Sequence, residues 1–362
     1  MIKVGSDFSG VGAFDQALNR LGIEHKTIFA CDKDKFARQT YLANYKEPGY
    51  FPTDVYEREI PKDSLDIYMT SPPCQSFSLA GKRLGKEDKR GVLFFNSLEF
   101  IQSNKPRFFI FENVKGLLSD NAGQTFSEWI NLLGGKSING NTVLFPYKDS
   151  VPYHIYYKVL NAKDYGVPQN RERIFIVGIR DDQNNDFRFP KEEPLKKRLK
   201  DVLETEVAEK YYLSEQMVLG IKNSEFISST PKVALNLSGG KWDKTHEICR
   251  RVYDADAIAP TLHTCGGGNQ EPKILQKAHG YNQGNEFEIA PTLTSNSWQE
   301  NNFLTQQIRK LTPLECFRLM DFPDTLVQNA KKVGISDSQL YKQAGNSIVV
   351  AVLEKIIKNL KI

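Results

Sequence analysis

The sequence has no long apolar run, and this excludes a membrane-spanning helix. Its apolar stretches, such as those at residues 108–111 and 174–179, are far shorter than the roughly 20 residues needed to cross a bilayer. The first residues also lack the basic and then apolar pattern of a secretory signal. We therefore expect a cytoplasmic protein.

Cysteine is scarce, and its spacing argues against disulfides and metal. The five cysteines, at 31, 74, 249, 265 and 316, form an odd set without a Cys-x-x-Cys pair. His246, Cys249, His263 and Cys265 could supply four zinc ligands, but their spacing matches no common zinc finger, so no metal is expected. Charge is nearly balanced, and a net charge of +4 permits an anionic partner without requiring one.

Strand-like and helix-like segments alternate through the first half of the chain. The strand-like runs lie at 2–4, 27–30, 65–70, 107–111, 156–160 and 173–179, and helical periodicity lies at 14–21, 35–45, 94–102 and 125–133. This alternation predicts an α/β fold with a mostly parallel sheet and helices on both faces. Ligands of such sheets bind at the carboxyl ends of the strands.

A change of composition indicates a second domain. Residues 189–324 are predicted to form a smaller, loop- and strand-rich domain, and residues 1–188 and 325–362 a catalytic, cofactor-binding domain. The smaller domain contains Ile-Ala-Pro-Thr-Leu at 258–262 and again at 289–293, either as paired recognition elements or as two similar turns. A helical pattern after residue 347 is expected to pack back on the first domain.

The first strand is followed by a glycine turn that opens a helix. Gly10 and Gly12 would let the backbone approach a ligand closely, although a tight structural turn explains such glycines equally well. Asp32 follows the second strand, where a ribose-binding carboxylate belongs in this architecture. Together they predict an adenosine-containing cofactor without saying which one.

Three further strand ends carry a thiol, a carboxyl group and guanidinium groups. Cys74 follows two prolines, which stop regular backbone and open a site. Glu112 ends the strand at 107–111, and Arg171 and Arg173 enter the strand at 173–179. A buried core cysteine is the plainer interpretation of a lone thiol, but the three groups together favour an active site.

In these motifs and their order the chain resembles the cytosine-5 DNA methyltransferases, over nearly its full length. The matching stretches are Phe8-Ser9-Gly10-Val11-Gly12, Pro73-Cys74-Gln75, Glu112-Asn113-Val114, Gln169-Asn170-Arg171-Glu172-Arg173, residues 311–320 and Gln343-Ala344-Gly345-Asn346-Ser347. The resemblance implies a Rossmann-like S-adenosylmethionine-dependent methyltransferase fold with a target-recognition domain. It implies transfer of a methyl group to carbon 5 of cytosine in duplex DNA.

The resemblance also assigns catalytic roles. Cys74 would add to C6 of cytosine as a thiolate, and Glu112 would donate a proton or hydrogen bond to N3, helped by burial that raises its pKa. Arg173 would contact the cytosine carbonyl and Glu112. For Arg171 a catalytic, a structural and a phosphate-contacting role stay open. No base for the C5 proton is evident, and water is one possibility.

The cofactor implied by the resemblance is S-adenosyl-L-methionine. Its expected contacts are Phe8, Gly10, Val11, Gly12, Asp32, Lys33, Asp54, Val55, Pro73, Leu93, Asn346 and Ser347. Asp32 would meet the ribose hydroxyls and Asp54 the adenine amino group. Lys33 departs from the large apolar residue that the family often has there, although its aliphatic stem can cover a ring.

DNA is the expected partner, and the target base must leave the stack to be reached. The basic stretch at 79–91 resembles the family's mobile catalytic loop and is predicted to close over the flipped base, whereas a solvated charged loop is the plainer interpretation. The predicted DNA contacts are Gln75, Ser78, Lys82, Arg83, Arg90, Arg250 and Arg251.

Three other functions fit the sequence less well. A transfer-RNA cytosine methyltransferase would carry a Cys-Phe-Thr motif, which this sequence lacks. A catalytically silent DNA-binding homologue would have lost Cys74 or Glu112, and a nicotinamide oxidoreductase would leave both unexplained. Without an appended module, we expect a monomeric bacterial or phage modification enzyme, paired in some cases with a restriction endonuclease.

Overall fold

The structure is a computed structural model, and it describes residues 1–73, 92–213, 220–223, 231–264, 270–276 and 307–362. Its largest sheet contains the strands β1 Ile2–Asp7, β2 His25–Cys31, β3 Ile67–Thr70, β4 Phe108–Val114, β5 Ser137–Ile138, β6 Asn141–Thr142, β7 Tyr153–Asn161 and β8 Glu172–Arg180. Their spatial order is β2-β1-β3-β4-β8-β7-β5-β6. The predicted α/β sheet is therefore present.

The direction of the strands decides which residues meet. β1 pairs in parallel with β2 and β3, and β3 pairs in parallel with β4, so four carboxyl ends lie at one edge. β8 runs antiparallel to both β4 and β7. The short connection between β7 and β8 explains this reversal, since a parallel crossover needs a dozen or more residues. The start of β8 consequently lies beside the end of β4.

Helices cover both faces of this sheet. The described helices are α1 Ala13–Arg20, α2 Lys35–Asn44, α3 Val92–Asn104, α4 Gln124–Leu133, α5 Glu247–Arg250, α6 Pro313–Arg318, α7 Asp324–Lys332, α8 Asp337–Asn346 and α9 Val350–Lys358, and α5 packs against a second, smaller sheet. One core packs α1 and α9 against the sheet through Phe14, Ile110 and Leu353. The other packs α3 and α4 through Phe100 and Trp129. Fully burying each such side chain contributes about 1.5–3 kcal/mol.

A second sheet lies in the predicted target-recognition domain. Its strands are β9 Gly220–Asn223, β10 Val233–Ser238, β11 Arg251–Asp254, β12 Lys273–Gln276 and β13 Gln307–Lys310, in the order β13-β12-β11-β10-β9. Leu237, Trp242 and Val252 form its small core. The domain limits at 189 and 324 stay a prediction.

The C-terminal segment returns to the large sheet as expected. The chain is extended at Ser347, between α8 and α9, and α9 packs against α1. Arg20 Nε lies 2.8 Å from Glu354 Oε2 across this contact. None of the described helices is long and apolar enough to cross a membrane.

Candidate active site

The glycine turn after β1 has an unusual backbone. Phe8, Gly10 and Gly12 have φ values of 57°, 55° and 87°. Such a conformation is strained for Phe8, and strain of this kind is frequent at functional sites. A Cβ on Gly12 would lie 2.4 Å from the ring of Tyr45, whereas one on Gly10 would meet nothing within 4 Å. Gly12 is thus required by packing against α2, and Gly10 faces open space.

Two carboxylates lie on the β2 side of this turn. Asp32 Oδ2 accepts a hydrogen bond from Gly10 N at 2.7 Å, and Oδ1 accepts one from Asp34 N at 2.8 Å. Burial raises the pKa of Asp32, while these two backbone bonds lower it. Asp54 Oδ2 lies 3.6 Å from Lys33 Nζ, and the Lys33 side chain is 87% exposed. The turn and the second strand are therefore fixed to each other.

A pocket opens between the ends of β1 and β3 and the break before α9. Its lining residues are Ser6, Asp7, Phe8, Ser9, Gly10, Ala13, Phe14, Met69, Ser71, Asn346, Ser347 and Ile348. Four predicted cofactor contacts are among them: Phe8, Gly10, Asn346 and Ser347. Val11 and Val55 are buried in the two cores, and Gly12, Asp32, Lys33, Asp54, Pro73 and Leu93 do not line this pocket.

Sequence reasoning missed several polar groups in this pocket. Ser9 Oγ is buried and has no hydrogen-bond partner among the described residues. Ser71 directly follows β3, and its hydroxyl donates to Phe8 O at 3.4 Å. Both serines lie inside motifs already singled out, so their place at strand ends was the available signal. An unsatisfied buried hydroxyl is suited to a polar ligand.

An acid and a guanidinium meet where β4 ends and β8 begins. Val114 is opposite Arg173 in the antiparallel pair, so Glu112 is the diagonal neighbour on the same face. Arg173 Nε lies 3.2 Å from Glu112 Oε1, and Glu112 is 7% exposed. Burial raises the pKa of Glu112, against the opposing effect of Arg173 and Arg171. A pKa of Glu112 raised by burial is the direction expected from the sequence.

Asn113 connects the acid to the segment that leads to Cys74. Its Nδ2 donates to Pro72 O at 3.1 Å, and its Oδ1 accepts from Val114 N at 2.8 Å. The ends of β3 and β4 are thereby held together. Cys74 itself lies outside the described residues, which resume at Val92.

Arg171 is buried and directed at the backbone. Its Nη1 donates to Leu262 O at 3.1 Å, and its Nη2 donates to Gly345 O at 2.9 Å and Ser347 O at 2.8 Å. Burial lowers the pKa of Arg171 to about 9. The guanidinium therefore joins the cofactor-side segment before α9 to the segment that precedes β12. This arrangement favours the structural role among those left open for Arg171.

The first copy of the duplicated sequence pairs with the segment in front of Arg171. Ala259 N donates to Pro168 O at 2.8 Å, and Asn170 N donates to Ala259 O at 2.9 Å. The second copy, at 289–293, lies outside the described residues. The first copy therefore pairs, in the manner of a strand, with the segment that leads into β8.

Most predicted DNA contacts cannot be placed. Gln75, Ser78, Lys82, Arg83 and Arg90 lie outside the described residues. Arg250 ends α5, and its Nε is buried without a hydrogen-bond partner among the residues that are described. Arg251 begins β11, and its Nη2 lies 3.0 Å from Glu247 Oε1. Their contact with DNA stays a prediction.

The sheet, the glycine turn, the carboxylate after β2 and the pocket at the strand ends are typical of proteins that bind an adenosine-containing cofactor. A model of the family C-5 cytosine-specific DNA methylase matches residues 2–362, and the chain belongs to this family. It is a DNA (cytosine-5-)-methyltransferase, and S-adenosyl-L-methionine is its methyl donor. The resemblance stated from the sequence is confirmed.

Related proteins support this assignment. The type II methyltransferase M.HhaI of Haemophilus parahaemolyticus is 34% identical over 98% of this chain and 92% of its own length. The orphan methyltransferase M.SPBetaI of Bacillus phage SPbeta is 32% identical over 99% of this chain and 97% of its own. The crystal structure of S. pombe Dnmt2 methyltransferase shares the fold, with a TM-score of 0.65 and 18% identity over 99% of this chain and 97% of that one.

Proposed function

We propose that this enzyme methylates a cytosine that is flipped out of duplex DNA within one short sequence, through a covalent bond between Cys74 and C6. The observation that carries this proposal is the Glu112–Arg173 pair beside the strand end that leads to Cys74. Carbon 5 of cytosine is a poor nucleophile, so the ring must first be activated. A thiol, an acid and a guanidinium at one edge are the groups that this activation needs.

Each group has one task in the addition step. The Cys74 thiolate forms a bond to C6 while Glu112 gives its proton to N3, which turns the ring into an enamine. Arg173 stabilises the negative charge that develops on the ring, because a guanidinium holds two donors in a fixed plane. A raised pKa keeps a proton on Glu112 for this transfer. After methyl transfer the C5 proton leaves to water, the Cys74–C6 bond breaks to return the thiolate, and the N3 proton goes back to Glu112.

The pocket residues fit the methyl donor. S-adenosyl-L-methionine supplies an electrophilic methyl group when bound. Gly10 leaves open space for it, and beside the pocket Asp32 would accept hydrogen bonds from the ribose hydroxyls and Asp54 one from the adenine amino group. The unpaired hydroxyl of Ser9 provides a further polar contact at the end of β1. Of the remaining predicted contacts, Phe8, Asn346 and Ser347 line the pocket with Gly10, whereas Val11, Gly12, Lys33, Val55, Pro73 and Leu93 lie outside its lining.

Bacterial or phage DNA modification is the proposed setting. M.HhaI is named a type II methyltransferase, and M.SPBetaI is named an orphan methyltransferase of a phage. A type II setting would supply a restriction endonuclease for the same sequence, and an orphan setting would not. We propose a monomer that reads its sequence with the second sheet, in which Arg250 and Arg251 are the candidate contacts.

Conversion sequencing of an unmethylated plasmid tests the proposal. The purified enzyme is incubated with the plasmid and S-adenosyl-L-methionine, and every cytosine is scored for protection. Protection confined to one short sequence is expected, and Cys74→Ser should abolish it while retaining cofactor binding. If cytosines still resisted conversion after incubation with Cys74→Ser, the covalent step through Cys74 would be contradicted. No protection anywhere would contradict a duplex DNA substrate, and the same assay on transfer RNA would then identify an RNA substrate.

A further inference from the structure

A buried ion pair lies beside the cofactor pocket, outside the set of residues predicted from the sequence. Arg58 Nε lies 2.9 Å from Asp7 Oδ1, and the two side chains are 2% and 0% exposed. The Tyr68 hydroxyl donates to Asp7 Oδ2 at 2.6 Å. Asp7 is the last residue of β1 and lines the pocket.

Arg58 connects three segments that carry predicted cofactor contacts. It lies four residues after Asp54, and through Asp7 it contacts the strand end that continues into Phe8. Its Nη2 also donates to Asn96 O at 3.4 Å, in the first turns of the helix that begins next to Leu93. One side chain thus joins the glycine turn, the Asp54 segment and the start of α3.

Aromatic rings fix the orientation of this guanidinium. The Arg58 Cζ atom lies 4.8 Å from the centre of the Phe100 ring and 5.8 Å from that of Phe29. Both phenylalanines are fully buried. A planar guanidinium stacks in such a site and still presents donors in its plane, which an ammonium group does not do. The Arg58 guanidinium is therefore enclosed by Asp7 and two buried rings.

Stability alone does not account for a pair of this kind. Removing two charges from water costs free energy, and apolar replacements of buried ion pairs are often neutral or stabilising. Burial raises the pKa of Asp7, and Arg58 is the largest influence that lowers it. The pair is instead suited to specifying one geometry among the elements that it joins.

We propose that Arg58 is a positioning residue for the cofactor, which sets the spacing between Phe8, Asp54 and Leu93. The inference rests on the proposed cofactor contacts of these three residues. Arg58 does not line the pocket, so it acts through the segments that it holds. Its loss should weaken cofactor binding without a matching loss of DNA binding, because the second sheet has no part in this cluster.

The test compares Arg58→Met with Arg107→Met. Arg107 Nη1 is paired with Asp66 Oδ1 at 2.8 Å at the opposite end of the same sheet, and this more exposed pair controls for the loss of an Arg–Asp contact away from the pocket. Binding of S-adenosylhomocysteine is measured by calorimetry, and binding of a plasmid-derived duplex is measured without cofactor. For Arg58→Met we expect cofactor affinity to fall about tenfold to a hundredfold, because a displacement of about 1 Å in the groups that contact a ligand has effects of this size. Duplex affinity, and both affinities of Arg107→Met, should stay within about twofold.

Two milder variants keep the test decisive if Arg58→Met does not fold. Arg58→Lys retains the charge without the planar fork, and Tyr68→Phe removes only the hydroxyl donor to Asp7. In variants that remain folded, both should weaken cofactor binding. Cofactor affinity equal to wild type in the folded variants, or an equal loss of duplex binding, would overturn the positioning role. A wild type that binds no cofactor would instead overturn the proposed function.

Discussion

Replacing Glu112 by glutamine tests whether the proton of its carboxyl group is needed for catalysis. Glu112→Gln keeps the size and hydrogen-bonding reach of the side chain but has no proton to transfer. General acid catalysis contributes about 10²–10⁴-fold to a rate. At 1.36 kcal/mol for each tenfold change, the barrier should rise by about 3 to 5 kcal/mol. Single-turnover methylation of a duplex that contains the target sequence measures this rate.

The pH dependence gives this prediction a second, independent readout. Burial raises the pKa of Glu112, so the donating form is present at low pH and activity falls as pH rises through the folded pKa. The same shift means that the folded state binds this proton more tightly than the unfolded chain does. The resulting stability is full below the unfolded pKa and is lost as pH rises through the folded pKa. Glu112→Gln should remove both effects, measured by kcat/KM and by urea unfolding across pH.

Glu172→Gln is the matched control for this substitution. Glu172 is the neighbour of Arg173 in sequence, and its carboxylate lies 3.0 Å from Lys115 Nζ in an exposed pair. Exposed pairs contribute little, so its rate should stay within about twofold of wild type. A Glu112→Gln rate within tenfold of wild type, with the high-pH decline still present, would refute the proton-donor role.

Three further substitutions test single contacts. Asn113→Ala removes the donor that holds the ends of β3 and β4 together, and we expect about a tenfold slower methyl transfer with unchanged cofactor affinity; equal rates would contradict this. Arg171→Lys leaves buried carbonyl groups without donors and should cost about 1–3 kcal/mol in urea unfolding, whereas wild-type stability would contradict the structural role. Gly12→Ala should cost about 1–3 kcal/mol more than Gly10→Ala, since only Gly12 also meets Tyr45; similar unfolding midpoints would contradict this.

Much of this site follows from the sequence because its chemistry lies at strand ends. Glu112 and Asp32 directly end or follow strands that their apolar patterns predict, and parallel strands bring their carboxyl ends to one edge. The antiparallel course of β8 was not predicted. It matters because it brings Arg173, at the start of a strand, to the same edge as Glu112, at the end of one.

The residues that sequence reasoning did not assign depend on distant partners. Arg58 lies in a polar segment whose composition suggests exposure, and it is buried because Asp7 and Phe100 come together around it. Arg171 belongs to a recognised motif, but its partners are carbonyl groups 91 and more residues away. The hydrophobic periodicity of a sequence does not indicate which backbone carbonyl a side chain will contact.

The described part of the site is held mainly by side chains that bind backbone atoms of another segment. Asp32 accepts from Gly10 N, Asn113 donates to Pro72 O, and Arg171 donates to carbonyl groups on both sides of the site. A backbone partner persists whatever side chain that position carries, so the geometry depends on the side chain that reaches across. Arg171 thereby joins the backbone at Leu262 to the backbone at Ser347, which lines the pocket. If the proposed DNA and cofactor contacts hold, we expect each ligand to change the affinity of the other by the same free energy, which calorimetry with and without duplex would measure.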